Sequence, residues 1–154
     1  LQKLKINPNF KENLDLSENL KNLNKQLSKV RIEIIKKDKS KNIVKDKKIG
    51  NILIREQILK DFPPKELRKV IDEGKKDIQS GIIISISIFE DKVGLAVGVS
   101  KDLTSKYDAV VLAKAASVIL GGKGGGGRKD FAQAGGVDKS KIEEAFKEIS
   151  KKIS

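Results

Sequence analysis

Residues 81–99 read GIIISISIFEDKVGLAVGV. Ile82, Ile84, Ile86 and Ile88 alternate with Ile83, Ser85 and Ser87, the period-two spacing of a strand with one aliphatic face. Glu90-Asp91-Lys92 is a short turn, and beyond it Val93, Leu95, Val97 and Val99 share a face. The opposite face of this second strand carries only Gly94, Ala96 and Gly98, so a helix can lie very close to it. The hairpin predicts a sheet with covering helices.

Toward the N-terminus, Ile49 to Ile58 reads as a strand with Ile52, Ile54 and Ile58 on one face. Pro63-Pro64 then opens a helix, since proline is tolerated in a first turn, and Leu67, Val70, Ile71, Gly74 and Ile78 give that helix a buried face. Toward the C-terminus, residues 104–120 are apolar almost all round except at Lys106, Asp108 and Lys114, which predicts a buried helix ended by Gly121. Asp130 to Gly135 reads as a short strand. Asp138 or Ser140 caps a last helix with the stripe Ile142, Ala145, Phe146, Ile149 and Ile153.

Residues 1–14 are polar and Asn-rich and read as a loose lead-in. From Asp15, the residues Leu16, Leu20, Leu23, Leu27, Val30 and Ile34 recur at heptad spacing, the stripe of a helix that associates with a copy of itself, docks on other domains or lies on its own core. The charged stretch 36–48, KKDKSKNIVKDKK, reads as a solvated connector. The expected fold class is α+β: an N-terminal long, coiled-coil-like helix, then a mixed β-sheet packed with helices. The expected domains are a helical dimerisation or docking arm over 1–41 and a globular α+β domain over 42–154.

The 154 residues suit one compact domain with an extension, and 38% hydrophobic content allows a modest core. The formal charge of +12 favours a polyanionic partner. The excess is almost all lysine spread along the chain, the only arginines being Arg31, Arg55, Arg68 and Arg128, so a generally lysine-coated surface is the competing explanation. With no cysteine or histidine there is no disulfide, thiolate nucleophile or Cys/His zinc site, and the commonest general base is missing. No apolar run approaches the length of a membrane span and no signal peptide is visible, so no membrane partner and a cytoplasmic setting are expected. A chain that starts at Leu1 and contains no methionine is expected to be a piece of a longer protein.

Residues 121–136 read GGKGGGGRKDFAQAGG. Six of the first seven are glycine, so neither an ordinary helix nor an ordinary strand is expected there. Gly122-x-Gly124-x-x-Gly127 matches the dinucleotide fingerprint in form, but it follows a helix and enters a strand, the reverse of what that motif needs. A Walker A loop is excluded as well, because Arg128-Lys129 stand where Lys and a hydroxyl residue are required. What remains is an anion-binding nest of backbone N–H groups, assisted by Lys123, Arg128 and Lys129, or a flexible loop without a ligand.

The stretch resembles the C-terminal signature of alanyl-tRNA synthetases, which reads roughly GGKGGGRPDxAQAGG. Gly121-Gly122, Lys123, the following glycines, Arg128, Asp130, Ala132-Gln133-Ala134 and Gly135-Gly136 match; there is one extra glycine, and Lys129 stands where proline is usual. Gly98-Val99-Ser100-Lys101-Asp102-Leu103 is similar to the family's G-V-[ST]-K-D-L segment. The resemblance is to the C-terminal, DHH-associated type of domain in that family. It implies an RNA-binding module with no aminoacylation or editing chemistry of its own. Such a module contacts the outer corner of tRNA, where the D and T loops meet, and helps bring tRNA(Ala) to the parent's active sites.

On that resemblance the RNA-contacting residues are Lys123, Gly124, Gly125, Gly126, Arg128, Lys129 and Gln133, with Gln133 favoured as a loop anchor. Asp130 is expected to orient Arg128. Phe131 is either core or a base-stacking residue. Leu16, Leu20, Leu23, Leu27, Val30 and Ile34 are the dimerisation stripe. The other domains of the parent are further partners, and ATP, magnesium and zinc are implied only for the full-length parent. The alternatives are a dimerisation or interdomain docking module and a phosphoesterase-like phosphate-binding domain. In DHH-type phosphoesterases a histidine follows the glycine run, whereas here Arg128 stands near that position. Asp72, Glu73 and Asp77 are the carboxylates such an enzyme would need for a metal; they stand among lysines and read as a solvated face.

Overall fold

The computed structural model describes residues 15–37 and 42–154, and the chain divides into two compact units between Lys36 and Lys37. In the first unit Asp15–Lys37 form helix α1. Leu20, Leu23, Leu27 and Val30 are exposed along it. The side chains of Leu16 and Ile34 lie outside the described residues, as does the expected lead-in over residues 1–14.

The second unit contains strands β1 (Asn42–Ile49), β2 (Ile52–Lys60), β3 (Ile82–Phe89), β4 (Lys92–Val99), β5 (Gly125–Arg128) and β6 (Phe131–Gly136). Its helices are α2 (Leu67–Ile78), α3 (Ala109–Ile119) and α4 (Ile142–Ile153). The strands form one mixed sheet in the order β1-β2-β3-β4-β6-β5. Only β2 and β3, joined through α2, run parallel; the other neighbours are antiparallel. The α+β class and the mixed sheet agree with the sequence. Among the described residues no helix is long and apolar enough to cross a membrane.

The alternation in residues 82–99 becomes the two faces of the sheet. Ile82, Ile84, Ile86, Val93, Leu95, Val97 and Val99 are buried together with Leu112, Ala113 and Ala116 of α3 and Ile142, Ala145, Phe146, Ile149 and Ile153 of α4. Burying one such aliphatic side chain is worth roughly 1.5–3 kcal/mol, so this layer dominates the stability. On the other face α2 packs on β3 and β4. A Cβ added to Gly94 would stand 2.6 Å from Pro64 Cβ, and one added to Gly98 would overlap Cγ2 of Ile71. The bare face of β4 is therefore filled by α2 and the turn before it. Beneath that layer the buried Ser85 hydroxyl donates to Gln57 Oε1 at 2.9 Å.

Three expectations are corrected. Residues 42–48 belong to strand β1, not to a connector; residues 38–41 of that stretch lie outside the described residues. β1 pairs with β2 through a two-residue turn whose first residue, Gly50, has φ 60°. Its charged side chains are those of a solvated edge: Arg55 makes a two-pronged pair with Asp46 at 2.8 and 2.9 Å, and Lys47 pairs with Glu56 and donates to Ser150 Oγ of α4. The helix expected over 104–120 begins only at Ala109, where the Asp108 carboxylate caps it by accepting from Val110 N–H. It is buried on one side only, with Val111 and Val118 exposed. Last, four residues of the glycine-rich stretch do form a strand, β5.

Candidate nucleic-acid interface

The glycine-rich stretch leaves α3 at Gly121, whose φ of 76° suits a residue without a side chain. Ser117, fully buried on α3, then holds the chain in place. Its hydroxyl donates to Gly135 O at 2.7 Å and accepts from Gly124 N–H at 3.3 Å. The approach is so close at Gly122 that a Cβ there would collide with the Gly135 carbonyl oxygen. From Gly125 the chain pairs with β6 in the register Gly125–Ala134, Gly126–Gln133, Gly127–Ala132 and Arg128–Phe131.

The Lys129-Asp130 turn of this hairpin is fastened at three points. Ala109 N–H donates to Lys129 O at 3.0 Å, Val99 N–H to Asp130 O at 2.9 Å, and Lys75 Nζ to the same Asp130 O at 2.6 Å. The Asp130 carboxylate stands 3.8 Å from both Arg128 Nε and Lys75 Nζ. Partial burial lowers the Lys75 pKa below the ordinary lysine value; Asp130 and Asp72 oppose that shift, while Arg128 and Arg68 add to it. The Gln133 amide donates to Pro64 O at 2.8 Å, tying β6 to the turn before α2. The Arg68 guanidinium lies over the Phe131 ring, 5.4 Å from its centre.

Cross-strand partners project to the same side of a sheet. Arg128 and Phe131 are such a pair, so they share the face on which α2 lies, and so does Gln133. α3 packs against β4, β5 and β6 on the opposite face. The result is a ledge: a glycine edge strand, one aromatic ring, and Arg68, Lys75 and Arg128 around it.

A model of the DHHA1 domain matches residues 50–154, which take in the sheet from β2 onward and the whole of this ledge. The chain belongs to the DHHA1 domain family. The alanine–tRNA ligase of Parvibaculum lavamentivorans is 48% identical over 98 residues, which are 63% of this chain and 11% of that protein. The corresponding ligase of Hyphomonas neptunium is 51% identical over 85 residues, 55% of this chain and 10% of that protein. The chain thus spans about a tenth of the length of the curated relatives it matches. The crystal structure of the C-Ala domain from Aquifex aeolicus alanyl-tRNA synthetase aligns with a TM-score of 0.67 at 30% identity, covering 71% of this chain and 98% of that one.

Within this DHHA1 domain the expected contact residues fall into two groups. Lys123, Gly126, Arg128 and Lys129 are exposed along β5 and its ends, with Arg128 70% accessible. Gly124, Gly125 and Gln133 are instead engaged within the chain: Gly124 with Ser117, Gln133 with Pro64, and half-buried Gly125 so close to β6 that a Cβ there would collide with the Gln133 carbonyl oxygen. Gln133 is thus an anchor. The glycines run as an edge strand and not as the concave nest expected. The sequence reading passed over Arg68 and Lys75. They stand seven positions apart on α2, a spacing that puts both on one helical face with Asp72 between them.

Asp72, Glu73 and Asp77 do not come together as a metal site: Asp77 faces Arg55 at 3.6 Å, and Glu73 pairs with Lys76 at 3.2 Å. Among the described residues no group of three or more carboxylates could hold a metal ion.

Proposed function

We propose that this DHHA1 domain is the tRNA-binding module of an alanine–tRNA ligase. It contacts the tRNA elbow and helps bring tRNA(Ala) to the aminoacylation and editing sites of the parent enzyme. Two similarities support the reading: that to the ligases and that to the C-Ala domain of the Aquifex synthetase. So does the charge of +12.

Gly126 carries it most directly. A Cβ on Gly126 would meet nothing within 4 Å, and its φ lies outside the left-handed range. Nothing in the packing of the described residues requires glycine there. A bare edge strand beside Arg128 suits the close approach of an outside group such as a ribose-phosphate backbone. Asp130 keeps the Arg128 guanidinium in place for such a contact, and Lys123 and Lys129 add charge at the two ends of β5. RNA held in this way is read by shape, phosphates and exposed bases.

The test is binding of the 154-residue chain to tRNA(Ala), to another tRNA and to a plain RNA duplex at two salt concentrations. Both tRNAs should bind better than the duplex, with affinity falling steeply as salt rises through counterion release. Equal binding of all three would leave only a diffuse electrostatic attraction.

A second reading concerns α1. Leu20, Leu23, Leu27 and Val30, all exposed, suit a homodimer seam or a docking face for other domains of the parent. Sedimentation of residues 1–154 against residues 42–154 separates these outcomes. A dimer should lose a protomer's mass when the arm is removed, and monomers in both cases would end the dimer reading.

A further inference from the structure

We propose that the Arg68 guanidinium, backed by the Phe131 ring, is a stacking platform for one unpaired RNA base, with the phosphate beside that base held by Arg128. The inference rests on the RNA-binding reading above and adds to it a base-recognising element that the glycine strand does not supply.

Arg68 is exposed on α2 and takes part in no ion pair among the described residues. Its guanidinium lies over the Phe131 ring, 5.4 Å from the ring centre. An arginine whose only function was solubility would extend into water. Here the guanidinium is held over an aromatic ring, which leaves its outer surface open. Guanidinium planes and aromatic rings are the surfaces on which splayed-out RNA bases stack.

Around the platform stand Lys75 and Arg128 as cations and Asp72 and Asp130 as carboxylates, so with Arg68 itself counted the cluster keeps one net positive charge. The position of Phe131 is fixed by its pairing with Arg128 on one side and Gly98 on the other. The base and its phosphate would thus meet Arg68 and Arg128 as neighbours on one ledge.

The test compares Arg68→Lys, which keeps the charge and loses the plane, with Arg128→Ala and the unaltered chain. The probes are tRNA, a short oligoadenylate and an abasic ribose-phosphate oligomer of the same length. Arg68→Lys should weaken tRNA and oligoadenylate binding about tenfold while leaving the abasic oligomer unchanged. Arg128→Ala should weaken all three. Phe131→Leu, checked for folding by thermal melting, should follow the Arg68→Lys pattern.

If Arg68→Lys binds tRNA as the unaltered chain does, or weakens the abasic oligomer equally, the platform is overturned while RNA binding stands. If the unaltered chain fails to bind tRNA at all, both readings fall.

Discussion

Gly98 of β4 lies so close beneath Ile71 of α2 that a Cβ on the glycine would overlap the isoleucine Cγ2. This contact sets the height of α2 above the sheet. It thereby sets the distance from Arg68 and Lys75 to the glycine hairpin, and so couples the core to the ledge.

Gly98→Ala should therefore destabilise the domain through overpacking, by about 1–3 kcal/mol. Chemical denaturation reads the loss directly. Unchanged stability would mean that α2 can lift at no cost, and the ledge would then not be held by this contact.

Two glycines of the stretch 121–136 should behave in opposite ways. Gly122→Ala collides with the Gly135 carbonyl and with Ser117, so it should lower the melting temperature. Gly126→Ala meets nothing, so stability should stay within about 0.5 kcal/mol of the unaltered chain. Its tRNA affinity should fall all the same, because a methyl group stands where the RNA backbone approaches. Unaltered binding by a well-folded Gly126→Ala chain would remove the main support for the interface.

Ser117 joins α3 to both strands of the hairpin through Gly124 and Gly135. Ser117→Ala removes the donor to the part-buried Gly135 carbonyl bond and the acceptor of Gly124 N–H, at a cost of about 1 kcal/mol. Hydrogen exchange should show faster opening at Gly124, and a protection pattern identical to the parent's would refute the role.

Much of this fold was legible from the alternation in residues 82–99 and from the helical stripes of α2 and α4. Both strands that sequence reading missed, β1 and β5, are the two edges of the sheet. An edge strand pairs on one side only and can remain largely in solvent, so it needs no apolar alternation. β1 is rich in charge and β5 in glycine, and each conceals the period-two signal. The remaining clue to β1 was Gly50-Asn51, a dipeptide suited to a two-residue hairpin turn.

Arg128, Lys129 and Lys123 were legible because they sit within the motif itself. Arg68 and Lys75 were not, because the stripe of α2 gives its buried face but not the direction in which the helix crosses β4, and so not which of its exposed residues come beside the hairpin. The exposure of Val111 and Val118 had one clue: Lys114 lies three positions after the first and four before the second, on the same face of an otherwise apolar helix.

The Asp46–Arg55 pair across β1 and β2 gives a prediction in pH. The hydrogen bond from Arg55 holds the Asp46 carboxyl below its ordinary pKa. A lowered folded-state pKa means stability that is present above the unfolded value, about 3.9, and lost as pH falls through the folded one. Asp46→Asn should shrink the difference in stability between neutral and acidic solution, measured by denaturation across that window. The effect is small because the carboxylate is largely solvent-exposed. An acid limb as steep as the parent's would show that the pair does not contribute.

Charge at the ledge should count for more than charge elsewhere. Arg128→Ala removes a charge-assisted phosphate contact and should weaken tRNA binding by about 1–3 kcal/mol. Lys151→Ala removes an exposed cation from the C-terminal turn of α4 and should matter far less. Equal, small effects from the two would assign the affinity to the diffuse field of the lysines.

Hydrogen–deuterium exchange of the whole chain with and without tRNA bears most directly on where the RNA sits. Protection should appear along β5 and the Lys129-Asp130 turn and around Arg68 at the start of α2, with α4 unchanged. Protection confined to α4 and the β1 edge, with the glycine hairpin exchanging as it does in free protein, would contradict the account.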